Sequence, residues 1–136
     1  MCLEFVAGWC AAKGLDVARS PDSDADRIIA GLRTEIKGST LWANGSYKFQ
    51  QLRDQNYSIV VCLGISPFDA HCWVIEKDDV MALWDAGVIR SQHGGARGSD
   101  TAWLTVNPAN PPGWISPYGG TLATGFARIQ SLTQQS

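Results

Sequence analysis

The sequence lacks any apolar run long enough to cross a membrane, and its N-terminus lacks the charged-then-apolar pattern of a secretion signal. We therefore expect a soluble protein that is either cytoplasmic or secreted or delivered as an effector. The four cysteines lack the C-x-x-C spacing of structural zinc sites. This absence argues against a structural zinc site, and we expect no metal and no cofactor. Four reduced thiols, one of them reactive, are expected, with a Cys62–Cys72 bridge between neighbouring strands as the alternative.

The sequence also lacks a basic stripe, because its basic residues occur singly and the formal net charge is -2. Such a surface is poorly suited to neutralising several phosphates, which predicts no nucleic acid partner. The glycine-rich segment 92–98 lacks the spacing of a phosphate-binding loop. With 136 residues and 45% hydrophobic content, the chain is expected to form a single globular domain over residues 1–136.

Helical spacing of apolar residues predicts an N-terminal helix from Cys2 to Lys13, with Gly14 as its C-terminal cap. A second helix is predicted to end near Gly38, on the spacing of four aliphatic residues: Ile28, Ile29, Leu32 and Ile36. Residues 47–52 are interpreted as a short helix, and segments 57–63 and 101–106 as strands. Residues 122–132 are expected to close the fold as a strand or a short helix. Together these elements predict an α+β fold, with N-terminal helices packed on a mostly antiparallel sheet.

The segment 71–87, HCWVIEKDDVMALWDAG, is interpreted as a β-hairpin. A three-residue turn at 77–79 would place His71 opposite Asp85 on one face of the sheet, whereas a two-residue turn would send Asp85 to the other face. An imidazole held by a carboxylate is the base and orienting group of a nucleophilic triad. The same two residues are equally consistent with a purely structural role.

A triad also needs a nucleophile, and the cysteines are the candidates. Cys62 and Cys72 lie in apolar strand segments and are expected in the core. Cys2 lies in the first turn of the predicted helix, where the helix dipole favours a thiolate. Cys10 is the alternative nucleophile, and would be preferred if a helix began there.

The order of these segments, a helix-borne cysteine in CLEFV, then HCWVI, then ALWDAG, resembles the papain-like cysteine hydrolases. The C-x-x-F-V start and the short length are similar to the NlpC-like and CHAP amidases, and to small papain-fold bacterial toxins. The resemblance implies a papain-like fold with Cys2 as nucleophile, His71 as base and Asp85 as orienting residue. It also implies an oxyanion hole at the Cys2 N–H, with a side-chain amide from one of three residues: Gln50, Gln51 or Asn56.

The implied function is that of a cysteine-dependent amide hydrolase, a peptidase, amidase or deamidase, within a bacterial toxin or effector. Its partners would be a peptide, protein or peptidoglycan substrate and a cognate immunity or inhibitor protein. Only Met1 precedes Cys2, which indicates a catalytic module excised from a longer protein. If Met1 is removed, the free amine of Cys2 would be an alternative base.

Two other interpretations stay open. A viral papain-like leader protease would share this order of residues, and the segment 118–120, Tyr-Gly-Gly, resembles the junctions that such enzymes cut in themselves. A non-catalytic binding module would use His71 and Asp85 only as structural residues.

Overall fold

A computed structural model describes residues 2–134, which form three α-helices, one 3-10 helix and nine strands. The α-helices are α1 (Cys2–Ala12), α2 (Lys77–Asp85) and α3 (Leu122–Gln134), and the 3-10 helix is Ser116–Tyr118. The strands are β1 (Val17–Arg19), β2 (Arg27–Ile29), β3 (Leu32–Thr40), β4 (Tyr47–Leu52), β5 (Ile59–Ile65), β6 (Ala70–Glu76), β7 (Arg90–Ser91), β8 (Ala102–Val106) and β9 (Gly119–Thr121). None of the helices within this described range is long and apolar enough to cross a membrane.

The strands form two sheets. The main sheet has the order β1-β2-β3-β5-β6-β9, and only its β3–β5 pair is parallel. The second sheet is antiparallel, with the order β4-β8-β7. This arrangement confirms the predicted α+β class with a mostly antiparallel sheet.

The main sheet lies in the middle of the molecule and is covered on both faces. Val61 and Leu63 of β5 pack on one face with residues of α1 and α3, such as Val6 and Ile129. The residues that alternate with them along β5 pack on the other face with the second sheet and α2. Burial on both sides explains why β5 is a continuous apolar run rather than an alternating one.

Helix α1 approaches the sheet closely at its N-terminal end. A Cβ atom built on Gly38 of β3 would lie 2.6 Å from the Cβ of Cys2, well inside van der Waals contact. Gly38 therefore allows the first turn of α1 to rest directly on β3. The predicted N-terminal helix is confirmed, as are the strands at 59–65 and 102–106.

The predicted second helix is wrong, because residues 27–40 form the hairpin of β2 and β3. Its two-residue turn consists of Ala30 and Gly31, both with positive φ, 47° and 86°. This is the conformation that matches the twist of a tight hairpin. The helical spacing of these aliphatic residues is a coincidence. The two-residue turn separates two strands, and within each strand the residues alternate between the two faces of the sheet.

The predicted 71–87 hairpin is also wrong, because β6 runs directly into helix α2. Asp78 and Asp79 lie in the first turn of α2, where carboxylates interact favourably with the helix dipole. Val80 and Trp84 are buried one turn apart. Residues 47–52, predicted as a helix, form strand β4, and residues 122–132 lie in helix α3.

Candidate active site

Two carboxylates meet at the edge of β3 where its pairing with β2 stops. The ladder between these strands begins at Arg27 and Thr34. One residue earlier, the Asp26 N–H donates to the Thr34 carbonyl oxygen at 2.9 Å, and Asp26 Oδ2 accepts the Ile36 N–H at 2.7 Å. The Asp26 side chain thus provides a hydrogen-bond acceptor for β3 at Ile36, which lies beyond the last residue of β3 that pairs with β2.

Glu35 and Lys37 lie beside Asp26 because they alternate with Ile36 along β3. Ile36 packs in the core under α1, so its two neighbours point to the opposite face. Glu35 is 6% exposed, and Lys37 Nζ lies 3.9 Å from Glu35 Oε2. A largely buried cluster of three charged side chains therefore forms here. We call Asp26 and Glu35 the acid pair, and Lys37 its lysine.

The surroundings of Glu35 favour the protonated form of its carboxyl group. Burial raises the pKa of Glu35 to about 8, and the hydrogen bond and negative charge of Asp26 act in the same direction, against the opposing effect of Lys37. Two carboxylates this close cannot both ionise cheaply without a further positive charge. A cation bound beside the two carboxyl groups would offset this unfavourable charge in place of the Glu35 proton.

The donor chemistry of the acid pair fits a Mg²⁺-like ion. Such ions prefer carboxylate oxygens and are often held by only one or two of them, with waters and a substrate phosphate completing the coordination. Residues 2–134 contain no group of three or more His, Cys, Asp or Glu side chains placed to hold a metal. An all-protein metal cage is thus absent from the described chain, while the two-carboxylate arrangement is present.

The residues of the predicted triad are not brought together. Cys2 packs against Gly38 on the face covered by α1 and α3, and Cys72 of β6 points to that same face against Gly125. His71 is the neighbour of Cys72 and points to the other face. The sheet itself thus separates the Cys2 thiol from the His71 imidazole.

His71 is held within a set of neighbouring side chains. Its Nδ1 lies 2.9 Å from the hydroxyl of Tyr47, and its ring stacks on Trp73 at an interplanar angle of 8°. Its Nε2 lies 3.6 Å from Oδ2 of Asp69. Asp85, the predicted orienting residue, instead ends α2 and forms an ion pair with Arg97 at 3.0 Å.

The thiols are not activated. Burial raises the pKa of Cys2, and this outweighs the lowering effect of the nearby N-terminal charge. Burial also raises the pKa of Cys10 to about 11, and Cys10 is fully buried. Cys2 does line a cleft of about 470 Å³, together with Leu3, Gly38, Ser39, Thr40 and Ile65. All four cysteines are free, and Met1, on which the alternative base depended, lies outside the described residues.

None of the three predicted side-chain amide donors of the oxyanion hole lines that cleft. Gln50 and Gln51 lie on β4, and Asn56 lies in the loop before β5. The Asn56 carbonyl oxygen accepts a hydrogen bond from Arg33 Nε at 2.6 Å. The structure therefore assigns these three residues to other parts of the fold.

The acid pair was missed in the sequence because a helix was predicted over it. When 27–37 is interpreted as a hairpin, Glu35 and Lys37 fall on one face of a strand, and Ala30-Gly31 marks the turn. The signal was the spacing Asp26, Glu35, Lys37 across a two-residue turn.

The chain matches no protein-family model and no curated protein. It is similar in structure to a bacterial homing endonuclease, I-Ssp6803I, with a TM-score of 0.62 and 12% sequence identity. The similarity covers 98% of this chain and 91% of the endonuclease chain. At this identity the likeness shows that the two chains share a fold.

This likeness corrects the resemblance to papain-like cysteine hydrolases, which was wrong. The interpretation as a cysteine-dependent amide hydrolase falls with it, and neither the leader protease nor the non-catalytic binding module is favoured. The exclusion of nucleic acid in favour of peptide or peptidoglycan partners was wrong for the same reason. Scattered basic residues say little about a partner, because charge spacing along the chain differs from charge spacing on the folded surface.

Proposed function

We propose that this protein is a metal-dependent endonuclease that hydrolyses phosphodiester bonds in duplex DNA. The observation that carries the proposal is the cluster formed by Asp26, Glu35 and Lys37, which lies where β3 is no longer paired with β2. A protein of the same fold carries the name homing endonuclease, which supports this choice of reaction.

Each residue of the site has a distinct task. Asp26 and Glu35 would hold a Mg²⁺-like cation through their oxygens, and Glu35 would lose its proton to solvent when the ion binds. A bound cation of this kind supplies Lewis-acid stabilisation and lowers the pKa of a water molecule. Lys37 adds a positive charge beside the pair, where it favours the phosphate group and the charge that develops on it.

The fold holds these groups in place before any substrate arrives. The Ile36 N–H fixes one oxygen of Asp26, and Glu35 is anchored on a strand whose central residues are paired with β5. A site supported by a regular strand loses little free energy on ordering when substrate binds.

The test is cleavage of supercoiled plasmid DNA in Mg²⁺ or Mn²⁺ by the wild type and by Asp26→Asn. We expect nicked and linear products from the wild type, and a loss of about 10³-fold or more in the variant because the metal loses a charged ligand. Asp16→Asn is the matched control, since Asp16 is an exposed carboxylate outside the site. Equal cleavage by wild type and Asp26→Asn, or no cleavage in either metal, would overturn the proposal.

A further inference from the structure

The second sheet has an outer face without acidic residues. Its inward residues, such as Phe49 and Leu104, are fully or almost fully buried in the core. The outward residues, six in number within the described strands, are Lys48, Gln50, Gln51, Arg90, Trp103 and Thr105. We call this set the outer face of the second sheet.

The cations of this outer face have no carboxylate partner. Ion pairs elsewhere in residues 2–134 engage Arg33, Lys37, Lys77 and Arg97, whereas those described pairs include neither Lys48 nor Arg90. The outer face therefore carries two positive charges and no negative charge, although the formal net charge of the chain is -2.

Lys48 is held in position by aromatic rings. Its Nζ lies 3.4 Å from the centre of the Trp103 ring and 4.9 Å from that of Trp42. Cation–π contacts of this kind orient the ammonium group while leaving it charged. Trp42 is 45% exposed, so the set is open to a partner.

A bulge in β4 turns two neighbouring amides outward. The pairing of β4 with β8 shifts between Phe49 and Leu52, and Gln51 adopts a φ of 59°, a left-handed conformation that is uncommon for a residue other than glycine. Gln92 stabilises the bulge, because its Oε1 accepts the Gln51 N–H at 3.0 Å and the Thr101 hydroxyl at 2.6 Å. Gln50 and Gln51 are consequently both exposed. Strain of this kind, held by a dedicated partner, is often found at functional sites.

The outer face is connected to the acid pair and its lysine through β3. The Lys48 N–H donates to Ser39 Oγ at 3.0 Å, and Ser39 lies two residues beyond Lys37 on β3. One hydrogen bond thus joins the strand that carries Lys48 to the strand that carries Glu35 and Lys37.

We propose that the outer face of the second sheet binds a groove of the same duplex DNA, with Lys48 and Arg90 on phosphates and Gln50 and Gln51 facing base edges. This inference rests on the proposed function. An antiparallel β-ribbon fits the major groove, and glutamine amides pair with the edge of adenine. An acidic protein would suit the cations but gives no role to the paired amides, so duplex DNA is the favoured partner.

The test measures binding of a fluorescent DNA duplex by anisotropy in EDTA, where metal-dependent cleavage is suppressed. We expect Lys48→Glu with Arg90→Glu to weaken binding about tenfold or more, and to reduce the dependence of log affinity on log salt by about two. The matched control is Lys13→Glu with Arg19→Glu, which reverses two exposed charges on the α1 and β1 side of the molecule and should change affinity by no more than about threefold. The neutral pair Lys48→Gln with Arg90→Gln gives the same test if the reversed variant fails to fold.

Equal losses in the two double variants would overturn the inference, since only the overall charge would then matter. So would unchanged binding after removal of Lys48 and Arg90, or tighter binding of single-stranded RNA than of the duplex. If the duplex binds through this face but no metal supports cleavage, the proposed function fails while the inference stands. If cleavage persists unchanged in Lys48→Glu with Arg90→Glu at subsaturating DNA, the inference fails while the proposed function stands.

A separate measurement checks the amides. Selection of bound duplexes from a random library should yield adenine at defined positions with the wild type, and this preference should relax in Gln50→Ala and in Gln51→Gly. Glycine accepts the left-handed backbone at position 51, so the second variant removes the side chain while keeping the bulge. An unchanged preference in both variants would remove base reading from the proposal.

Discussion

The polar clusters around Glu35 on β3 and around His71 on β6 are both built on strands of the main sheet, yet they differ in how well their polar groups are satisfied. Around His71, a phenol, a stacked ring and a carboxylate leave the imidazole with partners on each side. At the β3 edge, burial and the neighbouring Asp26 raise the pKa of Glu35 to about 8, although Lys37 Nζ lies 3.9 Å from Glu35 Oε2. A satisfied cluster indicates structure, and a cluster that lacks one charge indicates a missing ligand.

The largest expected difference between the two regions is in DNA cleavage. We expect Glu35→Gln to lower the single-turnover cleavage rate in Mg²⁺ by about 10³-fold or more, because the amide cannot hold the metal as a carboxylate does. His71→Gln should change the rate by less than about threefold, since it lies apart from the acid pair. Similar losses in the two variants would erase the distinction between the regions.

The second difference is in how much stability is lost when a methyl group is added to a glycine near each of the two regions. In Gly64→Ala, the new Cβ would lie 2.6 Å from Cδ2 of the fully buried Tyr47 ring, and we expect unfolding free energy to fall by about 3 kcal/mol. Gly38→Ala meets the partly exposed end of α1, which can shift, so we expect a loss of about 1 kcal/mol. Urea unfolding measures both, and a larger loss in Gly38→Ala would contradict this ranking.

The third prediction concerns pH and the acid pair. Because the pKa of Glu35 is raised to about 8 in the folded protein, the folded state keeps a proton that the unfolded state loses near the ordinary value of 4.5. Stability should therefore be greatest below pH 4.5 with respect to this group, and fall as pH rises from 4.5 to 8, by on the order of 5 kcal/mol.

Thermal melting between pH 5 and 8 measures this effect, and Glu35→Gln is its control. The variant mimics the protonated acid, so its melting temperature should lack this component of the pH dependence. Added Mg²⁺ should raise the melting temperature of the wild type more at pH 8 than at pH 6, because the ion competes with the proton on Glu35. A wild type and a Glu35→Gln variant with parallel pH profiles would count against a raised pKa for Glu35.

The smallest expected effect is at the His71 region. Tyr47→Phe removes the 2.9 Å hydrogen bond to His71 Nδ1 and should cost about 1 kcal/mol of unfolding free energy. The cleavage rate at saturating DNA should not change. A large loss of cleavage with an intact fold would instead place His71 within the chemistry.

Much of the main sheet was predictable from local pattern. The apolar run of β5 and the strand that contains His71 are recognisable because their residues favour strands and are bounded by polar turns. Helix α1 was also predictable, since its apolar spacing extends over three turns.

The candidate site was not predictable in the same way, because it depends on a short hairpin. Strand β2 has only three residues, so alternation is not evident before the turn. Across the turn, an aliphatic residue every three or four positions imitates a helix. His71 attracted attention because histidine is a familiar catalytic residue, whereas its orientation is set by pairing with Gly64 of β5. Which face a strand residue occupies is a property of the whole sheet, and the sequence around one residue does not contain it.

The length of the two-residue turn, Ala30 and Gly31, determines which residues of β2 and β3 lie opposite each other at the site. It sets the pairing of β2 with β3, and that pairing brings Asp26 opposite the Ile36 N–H. One inserted residue would shift this register and could turn the Asp26 carboxylate to the opposite face. Surface turns usually tolerate insertions well. We expect insertions and deletions in this turn to abolish cleavage. A scan of such changes would therefore identify the turn as functionally important, although neither of its side chains takes part in the proposed reaction.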